Sequence, residues 1–203
     1  MRKSKEETEK TRMKILGAAI KLFDERGFKP TKLAHIAEEA NLTRGAVYWH
    51  FSSKEKIFLE LLENYFKPNT IKANRLLEPS CSLEESAAIF GENLEIMLKD
   101  SFHLHFMNIV LKDDKELPKS ISDKINEYKE IWVKQIHSLL KNAKNRGDIA
   151  KNEDLEILSW RLKIFFHGLL TFYLNERKKL STKIGKEIIK SELLALRKNN
   201  AKI

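Results

Sequence analysis

TRMKILGAAIKLFDERGFKPTKLAHIAEEANLTRGAVYWHFSSKEK, residues 11–56 of a 203-residue chain, decides the fold. Ile15, Leu16, Ala19, Leu22 and Phe23 recur at i, i+1, i+4, i+7 and i+8, one apolar stripe on a 3.6-residue period. A helix is therefore expected from about Glu6 to Arg26. Gly27 follows where a helix end favours positive φ, and Pro30 blocks continuation. Thr31 reads as the N-cap of a short helix, Lys32–Ala40, with Leu33, Ile36, Ala37 and Ala40 as its inner face. Asn41 tolerates the left-handed turn, Leu42 is placed to plug a small core, and Thr43 caps a second short helix that Phe51 ends. Ser52-x-x-Glu55 has the form of a capping box and opens a fourth helix.

Working outward, Phe58, Leu59, Leu61, Leu62, Tyr65 and Phe66 carry that fourth helix until Pro68 is expected to interrupt it. Further helices are expected near Ile71–Leu77, Leu83–Lys99 and Phe102–Lys112, with the polar stretch Lys112–Leu117 as a loop. A long helix then runs from about Ser120 to Asn145, closed by Gly147, and two more cover Glu153–Lys179 and Ser181–Lys198. No sustained alternating or β-branched run is bounded by turns, so the expected fold is all-α. It divides into an N-terminal three-helix head, residues 1–56, and a C-terminal helical bundle, residues 57–203, with the fourth helix shared between them.

Charge separates the same regions. Residues 1–56 carry a net +5, residues 57–176 a net −3 and residues 177–203 a net +7. A basic head suits a polyanion, and an acidic middle argues against a nonspecific cationic coat. The basic tail reads first as a solvated helix face and second as long-range attraction to DNA. No apolar run approaches the ~20 residues that span a bilayer. The charged start MRKSKEETEKTR lacks the apolar core of a secretory signal, so a cytoplasmic protein is expected. The single cysteine, Cys81, excludes an internal disulfide and reads as an ordinary small side chain.

Two short helices joined at Asn41-Leu42 have helix-turn-helix spacing, which sends the second helix into the major groove. Arg44, at its entrance, matches the two acceptors of guanine, O6 and N7. Gly45 leaves room for a close backbone approach. Thr43, Tyr48, His50, Lys54 and Thr31 are donors suited to phosphate, which fixes register rather than sequence. Tyr48 and Trp49 are each open to a packing role as well, and Ala46, Val47 and Phe51 read as core.

The run Gly27-Phe28, Thr31-Lys32-Leu33, Ile36-Ala37, Ala40, Leu42 to Phe51 and Lys54 resembles the TetR family of bacterial transcriptional repressors, within it the efflux regulators of the acriflavine-resistance type. Asn41 stands where the family usually has Gly, and Lys32 where a small hydroxyl residue is common; Lys32 adds a candidate phosphate contact. The resemblance implies a homodimer on a palindromic operator, a small inducer held in a variable body, and pairing through the last two helices. Ile164, Phe165, Leu169, Phe172, Tyr173, Ile188, Ile189, Leu193, Leu194 and Leu196 are consistent with such an interface and equally with internal core.

An inducer pocket between bundle helices calls for apolar walls with a few polar groups. Its candidates are Phe102, His103, Phe106, Met107 and Val110 on one helix, Tyr128 and Trp132 on another, and Trp160, Ile164 and His167 on a third. His103 and His105 point about 200° apart on a helix and do not readily share an ion, even with Asp113, Asp114 and Glu116 nearby, so no metal site is expected. With no phosphate-cradling loop, nucleophile elbow or H-E-x-x-H, neither a cofactor nor an enzyme is expected. The leading expectation is a repressor of an efflux or related operon released by a small lipophilic or aromatic inducer. The alternative is an architectural or cell-cycle factor on the same scaffold, its body docking a protein.

Overall fold

A computed structural model describes residues 5–99, 101–111, 117–176 and 180–197, and among them the chain is helical with no strand. The helices are α1 (Lys5–Arg26), α2 (Leu33–Glu39), α3 (Arg44–His50), α4 (Lys54–Ala73), α5 (Leu83–Lys99), α6 (Ser101–Leu111), α7 (Lys119–Arg146), α8 (Leu155–Asn175) and α9 (Thr182–Leu194). A 3₁₀ turn, Asn74–Leu77, follows α4.

The chain forms two compact units. One comprises Met1–Phe66 with Ser101–Glu127, the other Lys67–Asp100 with Tyr128–Ile203. This division of packing differs from the division by sequence at residue 56, because α6 packs with the head although 81 residues separate His105 from Asp24.

In the first unit, Ile15, Leu16, Leu22, Ile36, Val47, Ile57, Phe58 and Leu61 are sealed from solvent. The rings of Phe23, Phe28 and Phe58 meet at centroid distances of 5.2–5.6 Å, joining α1, the turn after it and α4. Such tilted and edge-on contacts suit the ring quadrupoles. The stripe read from α1 is buried throughout, whereas Leu42 and Ala46 are only half-buried. Tyr65 stacks on Phe106 at 4.4 Å, and His103 lies beside the same ring at 5.2 Å. His105 instead meets Asp24 of α1 through Nδ1 at 2.7 Å, and Asn108 Nδ2 donates to the same carboxylate. The two histidines thus face different partners, as their 200° separation requires.

In the second unit, α5 packs along α9. Gly185 is required there by close approach: a Cβ would run into Tyr173 Oη and come within 2.8 Å of Leu94 Cδ2. The fully buried Tyr173 donates its hydroxyl to the Ser181 carbonyl at 2.9 Å. Glu95 of α5 pairs with Lys186 of α9, and Glu84 of α5 with Arg197 beyond the end of α9. Arg161 joins α8 to Glu192 of α9 at 2.7 Å. Phe90, Phe166 and Trp132 bring α5, α8 and α7 together, with centroid distances of 4.5 Å and 6.0 Å to Phe166. Cys81 is buried beside Ser86, and burial raises its thiol pKa, leaving less reactive thiolate.

Several expected boundaries shift. Thr31 does not cap α2; Lys32 takes the N-cap position, and its backbone N–H donates to His35 Nδ1 at 3.3 Å. Ser53, not Ser52, caps α4, accepting from the Lys56 N–H at 3.3 Å. Pro68 does not interrupt α4, which runs on to Ala73, so the expected fresh helix at Ile71 is a continuation. A proline removes one i→i−4 bond, that to the Asn64 carbonyl, without ending a helix held by its flanks. Asp154 and Ser181 cap α8 and α9, placing both starts a residue or two later than expected. α8 ends at Asn175 and α9 at Leu194, short of the expected ends at Lys179 and Lys198, while the expected loop and carboxylates at 112–116 lie outside the described residues. Among the described residues no helix is long and apolar enough to cross a membrane.

Candidate nucleic-acid interface

The head presents α3 through a chain of local constraints. Gly27 has φ +85 and ends α1. Asn41 has φ 54, turning the chain between α2 and α3 as its side chain permits. Thr43 Oγ1 accepts from the Ala46 N–H at 3.2 Å, and the Phe51 N–H closes α3 on the Val47 carbonyl. Val47 and Phe51 pin one face inward. The opposite face is open: Trp49 is 70% and Tyr48 59% exposed, with Arg44 and Gly45 exposed beside them.

Leaving large aromatic rings in water forgoes hydrophobic stabilisation, so such a pair beside an arginine marks a contact surface. His50 is half-buried, its ring 4.6 Å from that of Trp49. A Cβ at Gly45 would meet open space, so nothing within the head requires a glycine there. Thr43, with its oxygen lone pair committed to the cap, retains a hydroxyl proton to donate. Lys32 is exposed at the start of α2.

Two expected phosphate donors are placed otherwise. Thr31 is fully buried, and its hydroxyl points to the Gly27 carbonyl at 2.7 Å and the Leu22 carbonyl at 3.4 Å. The Gly27 carbonyl lies just past the end of α1, where helix geometry supplies no donor, which explains why a buried hydroxyl is satisfied there. Lys54 directs its ammonium to the carbonyls of Phe28, Lys29 and Thr31 at 2.7, 2.8 and 2.9 Å. Burial lowers the Lys54 pKa, and the ammonium lies 4.5 Å from the centre of the Phe28 ring.

Sequence reasoning missed Arg12. Its guanidinium bonds Glu60 of α4, Nε to Oε1 at 2.6 Å, and lies 4.4 Å from the centre of the Phe51 ring. The hydrogen bond to Glu60 raises the Arg12 pKa. The partner is 48 residues away, beyond any local spacing rule.

A capped second helix with one face pinned inward and the other exposed has the form of a helix-turn-helix. The profile of bacterial regulatory proteins of the tetR family matches residues 15–61, which span the described head from α1 into α4. Over 173 residues the chain is 28% identical to the HTH-type transcriptional regulator SrpR of Pseudomonas putida, covering 83% of this chain and 78% of that protein. The match to the HTH-type transcriptional regulator AcrR of Shigella flexneri is 47% identical but confined to 62 residues, 30% of this chain and 29% of AcrR. Among solved structures, NalD, the secondary repressor of the MexAB-OprM multidrug efflux pump in Pseudomonas aeruginosa, superposes with a TM-score of 0.78 at 26% identity, covering 97% of this chain and 100% of that one. Residues 15–61 thus match the tetR family of bacterial regulatory proteins, and over most of its length the chain is similar to HTH-type transcriptional regulators.

The expected pocket residues fall in both units. Phe106, Met107 and Val110 are buried and Phe102 and His103 half-buried on α6, in the first unit. Tyr128 and Trp132 belong to the second unit. Trp160, at 55% exposure, Ile164, at 69%, and His167 face outward on α8, not inward as a pocket wall requires. The inner face of α8 is instead Leu158, Leu162, Phe166, Leu169 and Tyr173. Sequence reasoning took the wrong side of an all-round apolar helix and missed Phe90 and Phe166. It also missed Asn93 of α5, one turn beyond Phe90 on the same face, whose Oδ1 is buried with no hydrogen-bond partner.

Proposed function

We propose that this chain is a homodimeric repressor of an efflux or related operon. Residues 1–56 read a palindromic operator, and residues 57–203 dimerise and bind a small lipophilic or aromatic inducer that releases the DNA. The observation that carries this reading is the exposed face of α3, with Arg44 at its entrance and Tyr48 and Trp49 in solvent. In this reading Arg44 pairs with guanine and Gly45 admits the backbone to the groove. Thr43, Tyr48, Trp49, His50 and Lys32 hold phosphate and sugar.

Support for the efflux assignment comes from NalD, whose likeness extends over the whole chain. Pairing through the last two helices is supported by the outward apolar faces of α8 and α9. Inducer binding is supported by the aromatic interior of the second unit around Phe90, Trp132 and Phe166, and by the unpartnered Asn93 Oδ1. An inducer acts only by its differential affinity for the conformer that does not bind DNA. A cytoplasmic location follows from access to the chromosome.

The test is a titration at fixed salt with DNA from the neighbouring intergenic region, repeated with lipophilic cations and neutral aromatics. Sequence-specific binding relieved by one compound class is the expected result. Specific binding that no compound relieves would favour the architectural alternative with a protein-docking body.

A further inference from the structure

We propose that Lys54 supports operator binding as a positioning residue, clasping the turn between α1 and α2 to the start of α4, and makes no contact with DNA phosphate. The inference rests on the operator-binding reading above.

An ammonium has three N–H donors. At Lys54 all three have acceptors within 2.9 Å, the carbonyls of Phe28, Lys29 and Thr31, and the ring of Phe28 lies beside the charge. A phosphate oxygen would have to displace a carbonyl to be bonded. The placement has a local reason as well. Lys54 is the first residue of α4, where the positive end of the helix dipole disfavours a cation. Three converging carbonyl oxygens offset that cost, and the carbonyls gain a charged donor that neighbouring backbone does not supply.

The consequence falls on α3, which lies between the two elements so joined. Its chain enters from α2, which starts two residues after Thr31, and leaves into α4, which starts three residues after Phe51. Thr31 fastens the turn to α1 through Gly27 and Leu22, while Lys54 fastens it to α4. With both flanks fixed, the recognition helix is held before DNA arrives, and less order remains to be imposed on binding.

Lys54→Arg and Lys54→Met separate the two roles. A guanidinium keeps the charge and bonds phosphate well, but its planar donors do not converge from one nitrogen on three carbonyls. Operator affinity, affinity for unrelated DNA and the slope of log K against log salt are measured for both variants and the wild type, at a temperature where circular dichroism shows each folded. Expected are a loss of about tenfold in operator affinity for both variants, the size of one charged hydrogen bond. A smaller loss on unrelated DNA and an unchanged slope should accompany it. Wild-type affinity in Lys54→Arg, with a slope reduced by about 0.9 in Lys54→Met, would establish a phosphate contact and overturn the proposal. Unchanged operator affinity in both folded variants would overturn it too, leaving the clasp a matter of stability alone. A wild type with no sequence preference would instead remove the operator reading on which the proposal stands.

Discussion

At the scale of single residues, Gly45 and Arg44 separate the needs of the fold from those of DNA. Position 45 lies inside α3 with open space where a side chain would be, and nothing in the head calls for glycine. Alanine there loses less backbone entropy, so Gly45→Ala is expected to stabilise the folded protein by up to ~0.5–1 kcal/mol while weakening operator binding. A rise in melting temperature with a fall in affinity is the expected pattern. Undiminished affinity would mean that the groove does not approach position 45. Arg44, exposed on the first residue of the helix, is expected to supply ~1–3 kcal/mol of discrimination at one base pair per half-site. Arg44→Ala should flatten preference at that base alone in a binding-site selection. Full discrimination by the variant would assign base reading elsewhere.

At the scale of elements, α5 and α9 hold together by close packing at Gly185 and by charge at Glu95. Lys186 and then Lys99 hold the Glu95 carboxyl down at about 2, against an ordinary 4.5. The folded protein therefore keeps this carboxylate charged in acid where the unfolded chain has already taken up a proton. The stabilisation is fully present above about pH 5 and drains away as pH falls from 4.5 towards 2. The melting temperature of the wild type should exceed that of Glu95→Gln by a constant margin near neutrality, and the margin should close across that acid window. A margin independent of pH would show that the pair contributes through packing.

What could be read from sequence follows from the range of the forces involved. The bounds of α5, the cap at Thr43 and the left-handed Asn41 were legible because neighbours within four residues determine them. Thr31 and Lys54 looked like phosphate donors by residue type, but contacts with Leu22 and with the 28–31 turn decide where they point. On α8, apolar residues run around much of the helix, so the pattern does not distinguish Phe166 inside from Ile164 outside. The placement of α6 against α1 rests on Asp24, His105 and Asn108, a contact between distant segments with no local signature.

At the scale of the whole molecule, the outward faces of α8 and α9 bear on assembly. Ile157, Trp160, Ile164 and Phe172 on α8, with Ile184 and Ile188 on α9, remain exposed although the same helices bury Leu162, Tyr173, Ile189 and Leu193 within the chain. Charged groups would keep such a surface soluble. A lysine, Lys163, lies over Trp160, while Ile157 and Ile164 are each more than 60% exposed. Two-fold pairing joins the same patch on both subunits, so one substitution acts twice. Ile164→Asp changes a side chain already 69% exposed, and the isolated subunit should lose no more than ~0.5 kcal/mol of stability. The dimer would have to bury two unpaired carboxylates, a far larger cost. Sedimentation velocity should therefore report a folded monomer, and its binding to a full operator should fall to that of a single half-site, since the second head is no longer tethered to the first. A dimer that persists with unchanged operator affinity would place the interface on another face. A chain that unfolds would show that Ile164 serves the subunit itself.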